Sequence, residues 1–499
     1  MSSVQYQVIP AQEFQIFSPP VELPGQIQGR QYLQVKPSQQ VVGQYFCQTS
    51  IIEFLSNNSQ QFVDLPNSYL QLLLELQKST GGAAYITAGA QTTAAPVFMP
   101  QWFRQTYLSL GSATVESTSS NQAITTYVYN LLRWSKSAAL GEGELEYVKY
   151  LDVVTYPADT TTYPPASQGS DSTIVAPVSN TIAQSNVQPY NVSSVTSAVN
   201  AGFNIGWVKR LSTVSFAGSR IVVRLPLNRF LGYCREGAPC TFGQQINMRL
   251  YPNTAAQLIQ KTDSGQGAYI YDWLIRACDL FLHVLTPSAA VSANILEEIG
   301  RGVATRFQYT AMDSYNFQVP AQTNSFTTSL GIPAYQLQFV VISAVPQTYQ
   351  AQMVDGTAGH NTNVSICPSP IASGGQTTIS SAFLSYGNSV IPSLPYGNSI
   401  GDNARQYNSY LTASNAMSIA GEGPILDYGD WSQNHWLLCF DCRSREVTGV
   451  NMGTPSTSLT VNLSFSTAPT SAYAVRVSYF ATREAEFKAS SSGVVVLNV

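Results

Sequence analysis

Charge is scarce in this chain: only 10% of its 499 residues are Asp, Glu, Lys or Arg, where a globular domain usually has about a quarter. Charge keeps freely diffusing proteins apart, so this composition argues against an ordinary free monomer and fits a subunit packed against copies of itself. The formal net charge of −4 removes counterion release as a drive for nucleic-acid binding over the whole surface, leaving only a local basic face. No apolar run reaches the length of a membrane helix, and the opening MSSVQYQVIPAQ has neither a basic start nor an apolar centre, so neither membrane insertion nor secretion is expected. Cysteine numbers seven, odd and scattered, which excludes a disulfide framework and implies folding in a reducing compartment. Asn-x-Ser sequons begin at Asn57, Asn191, Asn363 and Asn462, as chance gives in a chain so rich in Asn and Ser. Nucleophile elbow, phosphate loop and dinucleotide fingerprint are all missing, which argues against an enzyme.

What is present is one strand grammar written twice. Phe62-Val63-Asp64-Leu65-Pro66 leads into Tyr69-Leu70-Gln71-Leu72-Leu73-Leu74, and much later Leu330-Gly331-Ile332-Pro333 leads into Tyr335-Gln336-Leu337-Gln338-Phe339-Val340-Val341. A repeat this large implies two similar domains rather than a solenoid. Residues 1–28, broken by Pro10, Pro19, Pro20 and Pro24, read as an extended N-terminal arm. Strands are expected at 31–35, 41–47, 50–55 and 68–76, from their Val, Ile, Tyr and Phe content and turn-rich separators. Between 121 and 139 the period lengthens, with Ile124, Tyr127, Val128, Leu131 and Leu132 on one face of an amphipathic helix capped by Ser119, Ser120 or Asn121. Residues 157–200 are too long for a simple connection and read as a surface insertion. Strands resume at 208–216, 220–225, 245–251 and 279–285, with a turn or short helix over 228–241. The first domain thus spans 29–290, and 287–302 is the linker. The second domain spans 303–499, with strands at 303–309, 314–319, 324–330 and 335–343, a long loop at 346–380, and a helix over 402–413 capped by Asp402. Its closing strands are 436–441, 458–466, 472–480 and 494–499. The fold class is mainly β, each half holding about eight strands and one helix.

Several clusters could carry chemistry. Cys439 and Cys442, with His435 upstream, begin a metal-ligand spacing, but Cys234 and Cys240 do not supply the second pair a structural zinc site needs. Glu422, Asp427 and Asp430 beside Trp431 could serve glycoside hydrolysis, yet the segment reads as a turn with solvated acids. His283 sits in the apolar run 280–285 and reads as a core or interface residue, leaving His360 isolated. Arg220, Arg224, Arg229 and Arg235, with Lys209 and Arg210, form the richest basic region, and Arg443 with Arg445 a smaller one. Alternation places Arg220 and Arg224 on one strand face, where structural pairing outweighs contact with nucleic acid. No catalytic, cofactor-binding or metal residue is assigned, and no cofactor is expected.

The order of these elements resembles the double jelly-roll major capsid proteins of the adenovirus-type lineage, most closely those of virophages and Polinton-like viruses. The resemblance rests on residues 46–55, Leu65-Pro66 into 70–76, the run 220–231, the strand 245–251, Phe307 to Ala311, Ile332-Pro333 into 337–341, and the closing strands 437–441, 461–465 and 475–480. It is a match of strand pattern and punctuation without a short motif. It implies two tandem eight-stranded jelly-roll β-sandwiches, and a homotrimeric, pseudo-hexameric capsomer that tiles an icosahedral viral shell. Implied partners are neighbouring capsomers, penton and minor capsid or cement proteins, and a weak contact of an inner basic face with the genome, without a membrane span. The implied location is the virion, after folding in the host cytoplasm or a viral factory. The alternative is a secreted β-sandwich carbohydrate-binding protein or glycosidase.

Overall fold

The computed structural model describes residues 27–57, 61–78, 92–94, 99–135, 137–138, 154–155, 203–204, 220–234, 240–261, 271–300, 304–331, 337–346, 371–372, 376–377, 379–386, 389–418, 423–428, 431, 436–443, 459–468, 472–490 and 493–498. Residues 1–26 of the arm expected at 1–28, the insertion at 157–200, the strand at 208–216 and most of the loop at 346–380 lie outside them, while Ile27 and Gln28 open a strand rather than close the arm.

In chain order the first half supplies β1 (Ile27–Val35), β2 (Ile52–Asn57), β3 (Phe62–Lys78), β4 (Phe103–Leu110), β5 (Ala113–Ser117), helix α1 (Gln122–Arg133), β6 (Arg220–Pro226), β7 (Thr241–Phe242), β8 (Gln245–Pro252) and β9 (Tyr271–Pro287). One antiparallel sheet runs β1-β9-β3, and β6 and β7 share the far edge of β3, at Tyr69–Glu75 and Phe62–Val63. The facing sheet runs β2-β8-β4-β5. With β6 and β7 counted as one interrupted strand, the sheets take the strands in the orders first-eighth-third-sixth and second-seventh-fourth-fifth.

After helix α2 (Ala289–Gly300) the second half supplies β10 (Ala304–Val319), β11 (Ser325–Leu330), β12 (Leu337–Pro346), β13 (Ile379–Tyr386), β14 (Ser389–Tyr396), α3 (Ile400–Met417), β15 (Leu438–Asp441), β16 (Leu459–Phe465), β17 (Tyr473–Ser490) and β18 (Gly493–Asn498). Its sheets run β10-β17-β12-β15 and β11-β16-β13-β14, and β18 extends the β12 edge of β17. The strand order is again first-eighth-third-sixth and second-seventh-fourth-fifth. In both halves the long helix follows the fifth strand. This is the jelly-roll order, and it occurs twice.

The cores follow from alternation. In β8, Ile246, Met248 and Leu250 are buried between more open neighbours, and in β16 Leu459, Val461, Leu463 and Phe465 do the same. Each such side chain removed from water contributes about 1.5–3 kcal/mol.

Several expectations need correction. Residues 41–47 are not a strand: Gly43 adopts φ 87°, turning the chain, and a short 3₁₀ turn at Phe46–Gln48 places Phe46 edge-on against Trp102 and Phe103. The stretch between the halves, 287–302, is mostly helical, as α2. The two strands expected at 303–309 and 314–319 are one, β10, because Tyr309, Ala311 and Met312 are covered on both faces of the sheet and alternation is lost. Strands β4, β5, β13 and β14 were not anticipated.

Helix α1 ends at Arg133, and the polar face of this amphipathic helix is buried as well as its apolar one. Asn121 occupies its N-cap position without a side-chain cap. Helix α3 is capped by Ser399, not Asp402. The Asp402 amide donates to Ser399 Oγ at 3.1 Å, and that hydroxyl donates to the Asp402 carboxylate at 2.7 Å. Ser399→Ala is expected to cost about 1 kcal/mol, read from the denaturation midpoint. An unchanged midpoint would assign the start of α3 to tertiary packing alone.

Candidate functional site

Among the described residues, the members of the chemical clusters named from sequence are held in separate structural contacts. Cys439 and Cys442 are both buried, with burial raising both thiols, Cys442 to about 12, while His435 lies outside the described residues. Among the described residues no three His, Cys, Asp or Glu side chains come together as metal ligands. Of the carboxylate trio, Glu422 and Asp430 lie outside the described residues. Trp431 is a core residue whose indole N–H donates to the Leu437 carbonyl at 3.1 Å. His283 pairs with Asp64 through Nδ1 at 2.9 Å.

The described basic residues have structural partners. Arg220 and Arg276 flank the buried Glu75 at 2.9 and 2.8 Å, and the Arg276 hydrogen bond leads in lowering that carboxyl to about 2. Arg224 lies over the Tyr69 ring at 4.1 Å and Arg229 over Trp134 at 4.4 Å. Arg443 pairs with Asp441 at 2.8 Å. Arg220 and Arg224 do share one exposed face, as alternation requires. Lys209, Arg210, Arg235, Arg445 and His360 lie outside the described residues.

The dense polar construction lies at the seam between the two halves. Helix α1 leaves the first sandwich and lies on the second. Thr125 Oγ1 donates to Ser314 Oγ at 2.7 Å, Ser314 pairs with Ser478 Oγ at 2.6 Å, and Asn121 Nδ2 donates to the Ser314 carbonyl at 3.0 Å. Ser119 donates to the Asp313 carboxylate through its hydroxyl and its amide. Tyr410 and Ser414 of α3 donate at 3.0 Å to the Leu131 and Leu132 carbonyls, satisfying the open C-terminal end of α1. Arg476 and Ser478 lie opposite Val475 and Val477, as alternation predicts, but the outer face of β17 is buried because α1 covers it.

Glu116 is the ionisable centre of the seam. It follows β5 residue Val115, whose carbonyl accepts from the Tyr309 hydroxyl of the second half at 2.7 Å. Its two carboxylate oxygens accept the amides of Gly232 and Tyr233, each at 2.9 Å. Burial raises its pKa to about 7, against the pull of those amides and of Arg483. Gly232 leaves room for the Thr310 backbone: an added Cβ would sit 1.8 Å from the Thr310 carbonyl oxygen.

Sequence reading missed Glu116, Gly232, Asp313 and Ser314. One signal was available: Glu116 stands alone between Arg104 and Arg133 without another charge, in a chain where each charge is rare.

The outer face of β1-β9-β3-β6 contrasts with this seam. It presents Tyr32, 48% exposed, packed 5.3 Å from Tyr69, which stacks on Phe281 at 5.0 Å. Val222 is 54% exposed on β6, opposite Leu73 and between the exposed Arg220 and Arg224. Among the described residues no helix is long and apolar enough to cross a membrane.

No protein-family model matches the sequence, and no curated protein matches it. Solved structures do. The cryo-EM structure of the Sputnik virophage matches over 100% of this chain and 94% of its own, at 10% identity and a TM-score of 0.53. The Faustovirus major capsid protein matches over 91% of this chain and 90% of its own, at 9% identity and a TM-score of 0.51. At such low identity the likeness concerns the fold. Together with the twice-repeated strand order, it establishes that the chain has the double jelly-roll fold found in viral major capsid proteins.

Proposed function

We propose that this chain is a structural major capsid protein, three copies of which form a capsomer with pseudo-sixfold outline that tiles an icosahedral shell. The observation that carries this reading is the identical strand order of the two halves, joined through a buried seam. Two like sandwiches held rigidly in one chain turn a threefold assembly into six near-equivalent units, the outline a closed lattice needs. The likeness to the Faustovirus major capsid protein supports the same role. A chain with 10% charged residues suits extensive lateral contact.

The finer parts of the reading follow. The two sandwiches are the units 27–290 and 303–499, and residues 1–26 act as an arm between subunits. Neighbouring capsomers, penton and cement proteins are the partners, a basic inner face touches the genome weakly, and the protein resides in the virion after folding in the host cytoplasm or a viral factory. Light scattering of the purified protein is expected to give three times the 54.1 kDa chain mass. A monodisperse monomer at micromolar concentration would contradict the capsomer.

A further inference from the structure

The seam has two ends of different chemistry. At one end α1 lies on β10 and β17 through Thr125, Ser314, Ser478 and Asn121, whose hydroxyls and amide do not titrate, while Ser119 holds the Asp313 carboxylate. At the other end Glu116 grips residues 227–234 through the Gly232 and Tyr233 amides, both at 2.9 Å. That segment bears in turn on the second half. Gly232 lies against the Thr310 backbone, and the Tyr233 ring meets Phe307 and Tyr309 edge-on at 5.8 and 5.4 Å. One carboxyl group therefore fixes the segment and, through it, the contact with β10.

Few titratable groups surround Glu116. The segment brings Tyr233 and Cys234, both kept neutral by burial, and Arg229, which lies over Trp134 at 4.4 Å. β10 brings Tyr309, raised to about 12 by burial, and β17 brings Arg483, exposed and opposite Tyr309 in the sheet. In β4 the residue opposite Glu116 is Leu108, and β18, which packs against β5, has no titratable side chain. Arg483 is thus the cation that acts on Glu116, and it pulls more weakly than burial pushes. Ionised, Glu116 keeps two amide donors but, among the described residues, no buried counter-ion. A charge in that position draws in water or moves.

We infer that Glu116 is a proton-operated latch on the joint between the two sandwiches: neutral, it closes the seam, and ionised, it releases residues 227–234 from β10, so that the sandwiches pivot about α1. The joint is closed in acid and loosens as pH climbs through about 7. The inference concerns a contact inside one chain and stands apart from the capsomer reading.

Hydrogen exchange of the full chain tests the latch, with each amide rate corrected for its intrinsic dependence on pH. Between about pH 5.5 and about pH 8.5 the protection of residues 229–234 is expected to fall at least tenfold, while that of β8 stays level. In Glu116→Gln the fall is expected to vanish. Arg483→Gln, which leaves Glu116 in place, is expected to move it to higher pH, because the carboxyl loses the cation that favours its charged form. Spin-labelled amino acids at Val222 and Leu394, exposed in the first and second halves, are expected to give one narrow distance at the lower pH and a broader distribution at the higher. Level protection of residues 229–234, a fall shared by β8 or unmoved by Arg483→Gln, or an unchanged distance distribution would overturn the inference.

Discussion

Replacing Gly232 by alanine is expected to cost at least about 3 kcal/mol and to loosen the two sandwiches from each other. The added Cβ would lie 1.8 Å from the Thr310 oxygen and 2.9 Å from its carbonyl carbon, both backbone atoms. A flexible side chain could swing aside, but Thr310 sits mid-strand in β10, locked opposite Thr482 in the sheet. Movement of the Gly232 loop instead would pull its amide from Glu116, stranding a buried carboxylate. Gly331→Ala is the control, since nothing lies within 4 Å of its added Cβ. Denaturant midpoints measure both variants, and equal midpoints would remove Gly232 from the seam.

The second large effect is one of pH. In the folded chain burial raises the Glu116 carboxyl from 4.5 to about 7, while Tyr233 and Gly232 amides and Arg483 oppose the rise. A group that holds its proton more tightly when folded stabilises the fold fully below pH 4.5. That contribution is lost as pH climbs through about 7. At about 1.4 kcal/mol per pH unit, the loss across that window is about 3 kcal/mol. Glu116→Gln cannot titrate, so its unfolding free energy is expected to be flatter between pH 4.5 and 7, even though its amide group serves the two backbone N–H donors less well. Parallel curves for the two proteins would contradict this. Glu75 works in a separate window: its carboxyl is held at about 2, chiefly by Arg276, so its contribution is present above pH 4.5 and lost as pH falls towards 2.

Much of the fold was legible because it is written in alternation. Residues 220–225, 245–251 and 458–466 each bury one face, and their strands appear within a residue or so of the expected bounds. Legibility failed where both faces are covered. β10 looked like two strands because Ala311 and Met312 interrupt the polar alternation, and the amphipathic pattern of α1 gave no sign that its polar face is enclosed as well. The turn at 41–47 was hidden because its Val, Tyr and Phe are strand formers, and only Gly43 marked the reversal. Helix α3 starts about one turn earlier than expected because Ser399, as good a cap as Asp402, stands at the end of a Pro- and Gly-rich stretch. The seam was the least legible part. Its polar contacts join residues nearly two hundred positions apart, such as Ser119 with Asp313, and no local pattern announces such a pair.

We propose that the two like sandwiches of each of three chains become six in a closed particle. Electron imaging of the purified, assembled protein tests it most directly. Class averages with threefold symmetry, a hexagonal outline and six β-sandwiches around a central axis are the result expected. Particles of twofold symmetry, or single chains showing two sandwiches alone, would contradict it.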